Sequence, residues 1–272
     1  MWFRDRWTGL SARRRGLVVF LAVVVTAGVA AVVVQVAGHG DAPGGVPSQE
    51  RVGPVLLVPG YGGSRDALST LAGRIRRSGR AAEVLALPGN GTGDLRAQVR
   101  VLDRVAADAV AAGAPSVDVI GYSAGGVVAR LWVAGEGAGV VRRVVTLGAP
   151  LHGTRIAAVG GVVAPGACPV ACQQLSPGSA LLSSVDGAPV ALPWLSVWTE
   201  DDRTVVPPDS ARLDGAVNVS LQRVCPGTSV AHSGLPADPL VTGLVLRALG
   251  TAPLVAPDTG DCDRLREEGA SS

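Results

Sequence analysis

The chain predicts an α/β fold, a mostly parallel central sheet with helices on both faces. Short aliphatic or β-branched runs at 55–58, 83–87, 116–120, 140–147, 193–198 and 216–221 have the length and composition of strands. Helical stretches at 66–77, from 95 past 106, at 126–133 and at 239–249 alternate with them. Alternation of this kind implies parallel strands joined by right-handed helical crossovers. The third observation is local: the run 116–120 passes through a glycine-rich turn directly into a helix.

The elements follow in order. Arg4, Arg6, Arg13, Arg14 and Arg15 crowd the N-terminus, and residues 17–37 then carry no charge. About 21 such residues are enough for a membrane-spanning helix, and arginines before it predict a cytoplasmic N-terminus. We therefore expect a cytoplasmic basic segment at 1–16 and a transmembrane signal-anchor at 17–37. The rival is a cleaved signal peptide cut near Val36-Ala37-Gly38, although such apolar cores are usually shorter. Either reading puts 38–272 outside the cytoplasmic membrane, tethered or secreted. Residues 38–53, rich in Gly and Pro, read as a linker. The folded domain is expected at 54–250, with a C-terminal tail at 251–272. Val55-Leu56-Leu57-Val58 is apolar throughout, as in a strand buried on both faces. Asp94 is placed to cap a helix on which Leu95, Val99, Leu102 and Val105 recur at helical spacing. Between His152 and Pro193 periodicity is weak. A loop of that length is often functional, and Val162, Val163, Val170, Leu181 and Leu182 would line a roof over a site; ordinary packing is the alternative.

Composition excludes some functions. With 272 residues, 47% hydrophobic and a formal charge of +2, the chain has material for one substantial core, and its balance argues against a nucleic-acid partner. Lysine is absent, a usage suggestive of a GC-rich bacterial genome. No G-x-x-x-x-G-K-[ST] is present for phosphate binding. The 4 cysteines, Cys168, Cys172, Cys225 and Cys262, all follow the apolar segment, which agrees with an oxidising compartment. Of the three possible pairings we expect Cys168–Cys172 and Cys225–Cys262. A zinc site is the weaker alternative, because the C-x-x-x-C has no histidine near it.

Gly121-Tyr122-Ser123-Ala124-Gly125 is a G-x-S-x-G sequence in a strand–turn–helix context, which defines a nucleophile elbow. The following helix aims its positive end at the serine. A serine hydroxyl needs a histidine to take its proton and a carboxylate to orient that histidine. After an elbow the partners follow in the order acid, then histidine. Of the 3 histidines, His39 lies in the linker and His152 precedes every late-strand acid, so order selects His232. The acid belongs after the strand 193–198, where Glu200-Asp201-Asp202 stand together; Asp202 is preferred and Asp201 is the alternative. Two backbone N–H groups must meet the developing oxyanion. Ala124, after the nucleophile, is one; Tyr61, in Pro59-Gly60-Tyr61-Gly62-Gly63 after the first strand, is the other.

These residues resemble the α/β-hydrolase superfamily and, within it, small secreted bacterial serine lipases and esterases of triacylglycerol-lipase type. Leu147-Gly148-Ala149-Pro150-Leu151-His152-Gly153-Thr154 is similar to that group's Gly-Ala-Pro-x-His-Gly-Thr segment. Gln173-Gln174-Leu175-Ser176-Pro177-Gly178-Ser179 is similar to its Gln-Gln-x-x-Pro-Gly-Ser stretch. Asp202 with Val205-Val206-Pro207, and His232-Ser233-Gly234-Leu235, match its acid and histidine loops. The likeness spans about 54–250. Pro59-Gly60 replaces the usual His-Gly, and the apolar N-terminal segment departs from fully secreted relatives. The resemblance implies an α/β-hydrolase fold and hydrolysis of carboxylic esters of lipids, with no metal and no organic cofactor. The expected partners are a lipid or small ester substrate and, through 17–37, a membrane; the chain is expected to be a monomer. Two competing functions are a cell-envelope acyltransferase with the same triad and a non-catalytic protein that binds lipid or a partner.

Overall fold

Leu56 and Val58 point to one side of their strand and Val55 and Leu57 to the other, and this period-two alternation builds a core on each face of the sheet. The structure, a computed structural model, describes residues 45–163 and 168–272, together with Arg13. Val46–Ser272 form one compact unit. Its strands are β1 (Val55–Val58), β2 (Ala82–Val84), β3 (Val117–Tyr122), β4 (Val141–Leu147), β5 (Trp194–Trp198) and β6 (Val217–Ser220). Among the described residues they form one 6-stranded sheet, ordered β2-β1-β3-β4-β5-β6. Every pairing is parallel. The chain leaves β1 toward one edge and returns to β3 on the other side of β1. The reversal makes a crevice at the carboxyl ends of β1 and β3, where open α/β sheets bind ligands.

On the first face pack α2 (Leu95–Ala111) and α3 (Ala124–Ala134), through Leu95, Leu102, Val127, Val128 and Trp132. On the second pack α1 (Asp66–Arg77) and α8 (Pro239–Leu249), through Leu68, Leu71, Ile75, Leu240 and Leu244. Both α1 and α8 occupy the span their sequence predicts. The Asp94 side chain accepts from Arg96 N at the start of α2 and the Asp238 side chain from Leu240 N at the start of α8. Each bond satisfies one of the N–H groups that a helix start leaves without a partner.

Several expectations are corrected. The second strand, expected at 83–87, closes at Val84, because Pro88-Gly89-Asn90-Gly91 turns with positive φ at Gly89, Asn90 and Gly91. The weakly periodic stretch 152–193 holds three short helices: α4 (Arg155–Val163), α5 (Val170–Gln174) and α6 (Ala180–Ser183). Leu181 and Leu182 are buried in the first core rather than lining a roof, whereas Val170 is exposed. Residues 46–53 are part of the folded unit, not linker: the Ser116 hydroxyl donates to Arg51 O, and Arg143 Nε donates to Gln49 Oε1. The supposed tail contains α9 (Cys262–Ser271), packed on α8 so tightly that a Cβ on Gly243 would lie 2.0 Å from Leu265 O.

Disulfides join Cys168 to Cys172 and Cys225 to Cys262, the expected pairing, so none of the four thiols is free to bind zinc. The second ties the end of α7 (Leu221–Val224) to α9. The basic segment 1–16 and the expected membrane span 17–37 lie outside the described residues, apart from Arg13. Among the described residues no helix is long and apolar enough to cross a membrane.

Candidate active site

Ser123 follows the last residue of β3 and precedes α3, at φ 53° and ψ −125°. A non-glycine residue at positive φ is strained, and here the turn is held from both sides. Ser123 N donates to Leu147 O at 2.9 Å, and Gly126 N donates to Ser123 O at 2.9 Å. The glycines are required by backbone neighbours. A Cβ on Gly121 would lie 2.5 Å from Gly126 Cα, and one on Gly125 would lie 2.2 Å from Val58 O. The elbow therefore wedges α3 directly against the end of β1.

That contact brings the loop after β1 over the serine. A Cβ on Gly60 would stand 2.9 Å from Ser123 Cβ and 3.5 Å from Oγ. Tyr61 comes next, its side chain 43% exposed. Ala124 is the first residue of α3, so its N–H has no acceptor within the helix. Both candidate oxyanion donors thus belong to segments that meet at Ser123. The loop after β2 backs them, since a Cβ on Gly63 would be 2.9 Å from Asn90 O.

Asp202 and His232 are brought together from the loops after β5 and β6. His232 Nδ1 lies 2.6 Å from Asp202 Oδ2, and both side chains are almost wholly buried. The other carboxylate oxygen, Oδ1, accepts from Thr204 N and Val205 N, each at 2.8 Å. Three donors fix the carboxylate plane, which in turn holds the imidazole with Nε2 turned away from the acid. Asp201, the alternative acid, is exposed and makes a 3.4 Å contact with Gln222 Nε2 instead. His152 lies elsewhere, with Nε2 3.1 Å from Arg212 O. Among the described residues Ser123 Oγ makes no hydrogen bond to His232, a contact that commonly tightens only when substrate is bound. Nor do they include a group of three or more His, Cys, Asp or Glu side chains able to hold a metal ion.

Two neighbours of the imidazole escaped the sequence reading. Gly148, at φ +56°, borders it so closely that a Cβ would lie 3.1 Å from His232 Nδ1. Tyr122 packs its ring on the imidazole with centroids 5.2 Å apart. Gly148 lies in the Gly-Ala-Pro-x-His-Gly-Thr-like segment, whose residue types do not signal a contact with His232. Tyr122 occupies the variable position of the elbow, where nothing in one sequence signals a role.

Comparisons agree with this architecture. A family model described as lipase (class 2) matches residues 98–183, a stretch that holds the elbow and the Gly148–Thr154 and Gln173–Ser179 segments. Among solved structures, the mature lipase BlEst2 of Bacillus licheniformis is similar with a TM-score of 0.61 and 18% identity, over 78% of this chain and 96% of that one. Its propeptide form gives 0.64 and 19%, over 81% and 54%. Lipase B of Aspergillus fumigatus gives 0.60 and 19%, over 80% of this chain, which spans 61% of that protein's length. No curated protein matches. The chain has the α/β-hydrolase fold. Within that fold it carries a segment like that of class 2 lipases.

Proposed function

We propose that the protein is a serine hydrolase that cleaves carboxylic esters of lipids, a lipase or esterase acting outside the cytoplasmic membrane. The buried His232–Asp202 pair, assembled beside a strained serine at the switch point of the sheet, carries this reading. Ser123 Oγ attacks the ester carbonyl while His232 Nε2 takes its proton. Tyr61 N–H and Ala124 N–H stabilise the tetrahedral oxyanion, and Asp202 stabilises the imidazolium. His232 then protonates the departing alcohol, leaving an acyl-serine. Water attacks it with His232 again as base, and the carboxylic acid leaves.

The lipid preference is supported by apolar side chains left in solvent: Tyr61 in the loop over the serine, and Ile156 at 55% and Val159 at 58% exposure on α4. The extracytoplasmic location is supported by the two disulfides. A membrane tether through 17–37 remains part of the proposal.

The test is hydrolysis of p-nitrophenyl esters of increasing chain length by the full chain and its Ser123→Ala variant. We expect a loss of about 10⁴-fold or more in kcat with the variant, and labelling by a fluorophosphonate only when Ser123 is present. Equal inactivity of two folded proteins, without labelling, overturns the proposal. Ester product formed only when an alcohol acceptor is added identifies an acyltransferase.

A further inference from the structure

We propose that Tyr122 is a positioning residue: its phenol and ring hold His232 in register with both the nucleophile and the acid. The inference rests on the serine-hydrolase reading for its kinetic consequences but not for its structural ones.

Tyr122 is the last residue of β3, so its backbone is continuous with the nucleophile. Its hydroxyl donates to the His232 carbonyl oxygen at 3.2 Å, reaching across 110 residues of sequence. Its ring lies 5.2 Å from the imidazole, tilted by 31°. One side chain therefore touches His232 twice, at the backbone and at the ring. His232 opens the short turn His232–Ala237, and its ring is held by the Asp202 contact and by packing against Gly148. A side chain hydrogen-bonded at one carboxylate can still pivot about that contact; a second hydrogen bond, to the His232 backbone from the last residue of β3, restrains the pivot. Holding reacting groups to a fraction of an ångström is where much of an enzyme's rate resides.

The chemistry of the phenol suits the task. Burial, and then the nearby charge of Asp202, push its pKa up to about 12. It stays a protonated donor throughout the range in which an imidazole can act as base.

The test uses the full chain with Tyr122→Phe and Tyr122→Ala. Phe keeps the ring and deletes only the donor. We expect kcat to fall about three- to tenfold, the scale of one hydrogen bond, with KM unchanged and the thermal midpoint lowered by only a few degrees. Ala should lose more kcat than Phe. Independently of turnover, the downfield proton resonance of His232 Nδ1–H should shift in the Phe variant and vanish into solvent exchange in the Ala variant. If both variants keep the wild-type resonance and kcat, the proposal is overturned. It is equally overturned if activity falls only together with the thermal midpoint while the resonance is unmoved, since that is a structural role. A chain that hydrolyses no ester, yet shows the expected change in resonance, would sink the hydrolase reading and leave the positioning role standing.

Discussion

A methyl group on Gly125 would sit 2.2 Å from the carbonyl oxygen of Val58 and 2.6 Å from that of Pro59. Neither atom belongs to a side chain that can rotate away, so Gly125→Ala must push α3 off β1 and drag the Gly60-Tyr61 loop with it. Overpacking of this sort costs about 1–3 kcal/mol. We expect a lower thermal midpoint and a fall in kcat together, while Gly139→Ala, with nothing within 4 Å of its would-be Cβ, serves as the neutral control. At this scale the sequence is informative where function is written in residue types at fixed spacing. Ser123 is legible from its glycines, and His232 from chain order among 3 histidines. The choice between Asp201 and Asp202 is not legible, since adjacent acids differ only in where the loop turns; Thr204 N and Val205 N make that difference by binding Asp202 Oδ1. Gly148 and Tyr122 lie against a residue far along the chain, a proximity that one sequence does not encode in any visible pattern.

At the scale of elements, α2 shows what a cap contributes. Asp94 accepts from Arg96 N at 2.9 Å and from Gln174 Nε2 at 2.7 Å, while Leu95 N donates to Gln174 Oε1. The cap thus joins α2 to the end of α5 as well as starting the helix. The hydrogen bond from Gln174, then that from Arg96 N–H, holds the Asp94 carboxyl below its ordinary pKa. A carboxyl depressed on folding stabilises the protein above its unfolded pKa, and that contribution disappears as pH falls through the folded value. Asp94→Ala should therefore cost about 1 kcal/mol at neutral pH. The gap to wild type, read from denaturant midpoints, should close as the solution is made more acidic than the usual carboxylate range. A gap that stays constant into acid would contradict a charged cap. Helices of this kind are legible because their apolar stripe and their cap are both local. By contrast α9 reads as a tail in sequence, because it buries only Leu265 and Gly269 and most of its other residues are charged or polar. It docks by backbone, with a would-be Cβ on Gly269 1.9 Å from Pro239 O. The three helices of 155–183 are too short to display a period.

Across the whole molecule, the two ends of the sheet divide the labour. The candidate site occupies the carboxyl ends of β1, β3, β4, β5 and β6; the opposite end is locked by arginines around one carboxylate. Asp118, fully buried in β3, accepts from Arg142 Nε at 3.0 Å and Nη2 at 2.5 Å, and from Arg80 Nη2 at 2.7 Å. The same Arg142 donates to the carbonyls of Gln49, Gly250 and Leu249. Arg143 donates to those of Ala248, Thr251 and Ala252. Through these bonds the segment before β1 and the exit of α8 are both pinned to the central strands. The docking uses peptide oxygens rather than apolar side chains, so residues 46–53 read as linker although they are part of the fold. Replacing Asp118 by Asn removes the only carboxylate among the described residues that Arg142 contacts and leaves a guanidinium deep in protein without its counter-charge. Breaking a buried pair from one side costs about 3–5 kcal/mol, far more than a surface pair. Urea unfolding of Asp118→Asn should show a loss of that size. Added salt should change it little, because buried charges are poorly screened. The lesion lies at the far end of β3 from Ser123, so the folded fraction should retain the wild-type KM. A loss below 1 kcal/mol would mean that the arginines are held by the carbonyls alone and that Asp118 is not the keystone of this edge.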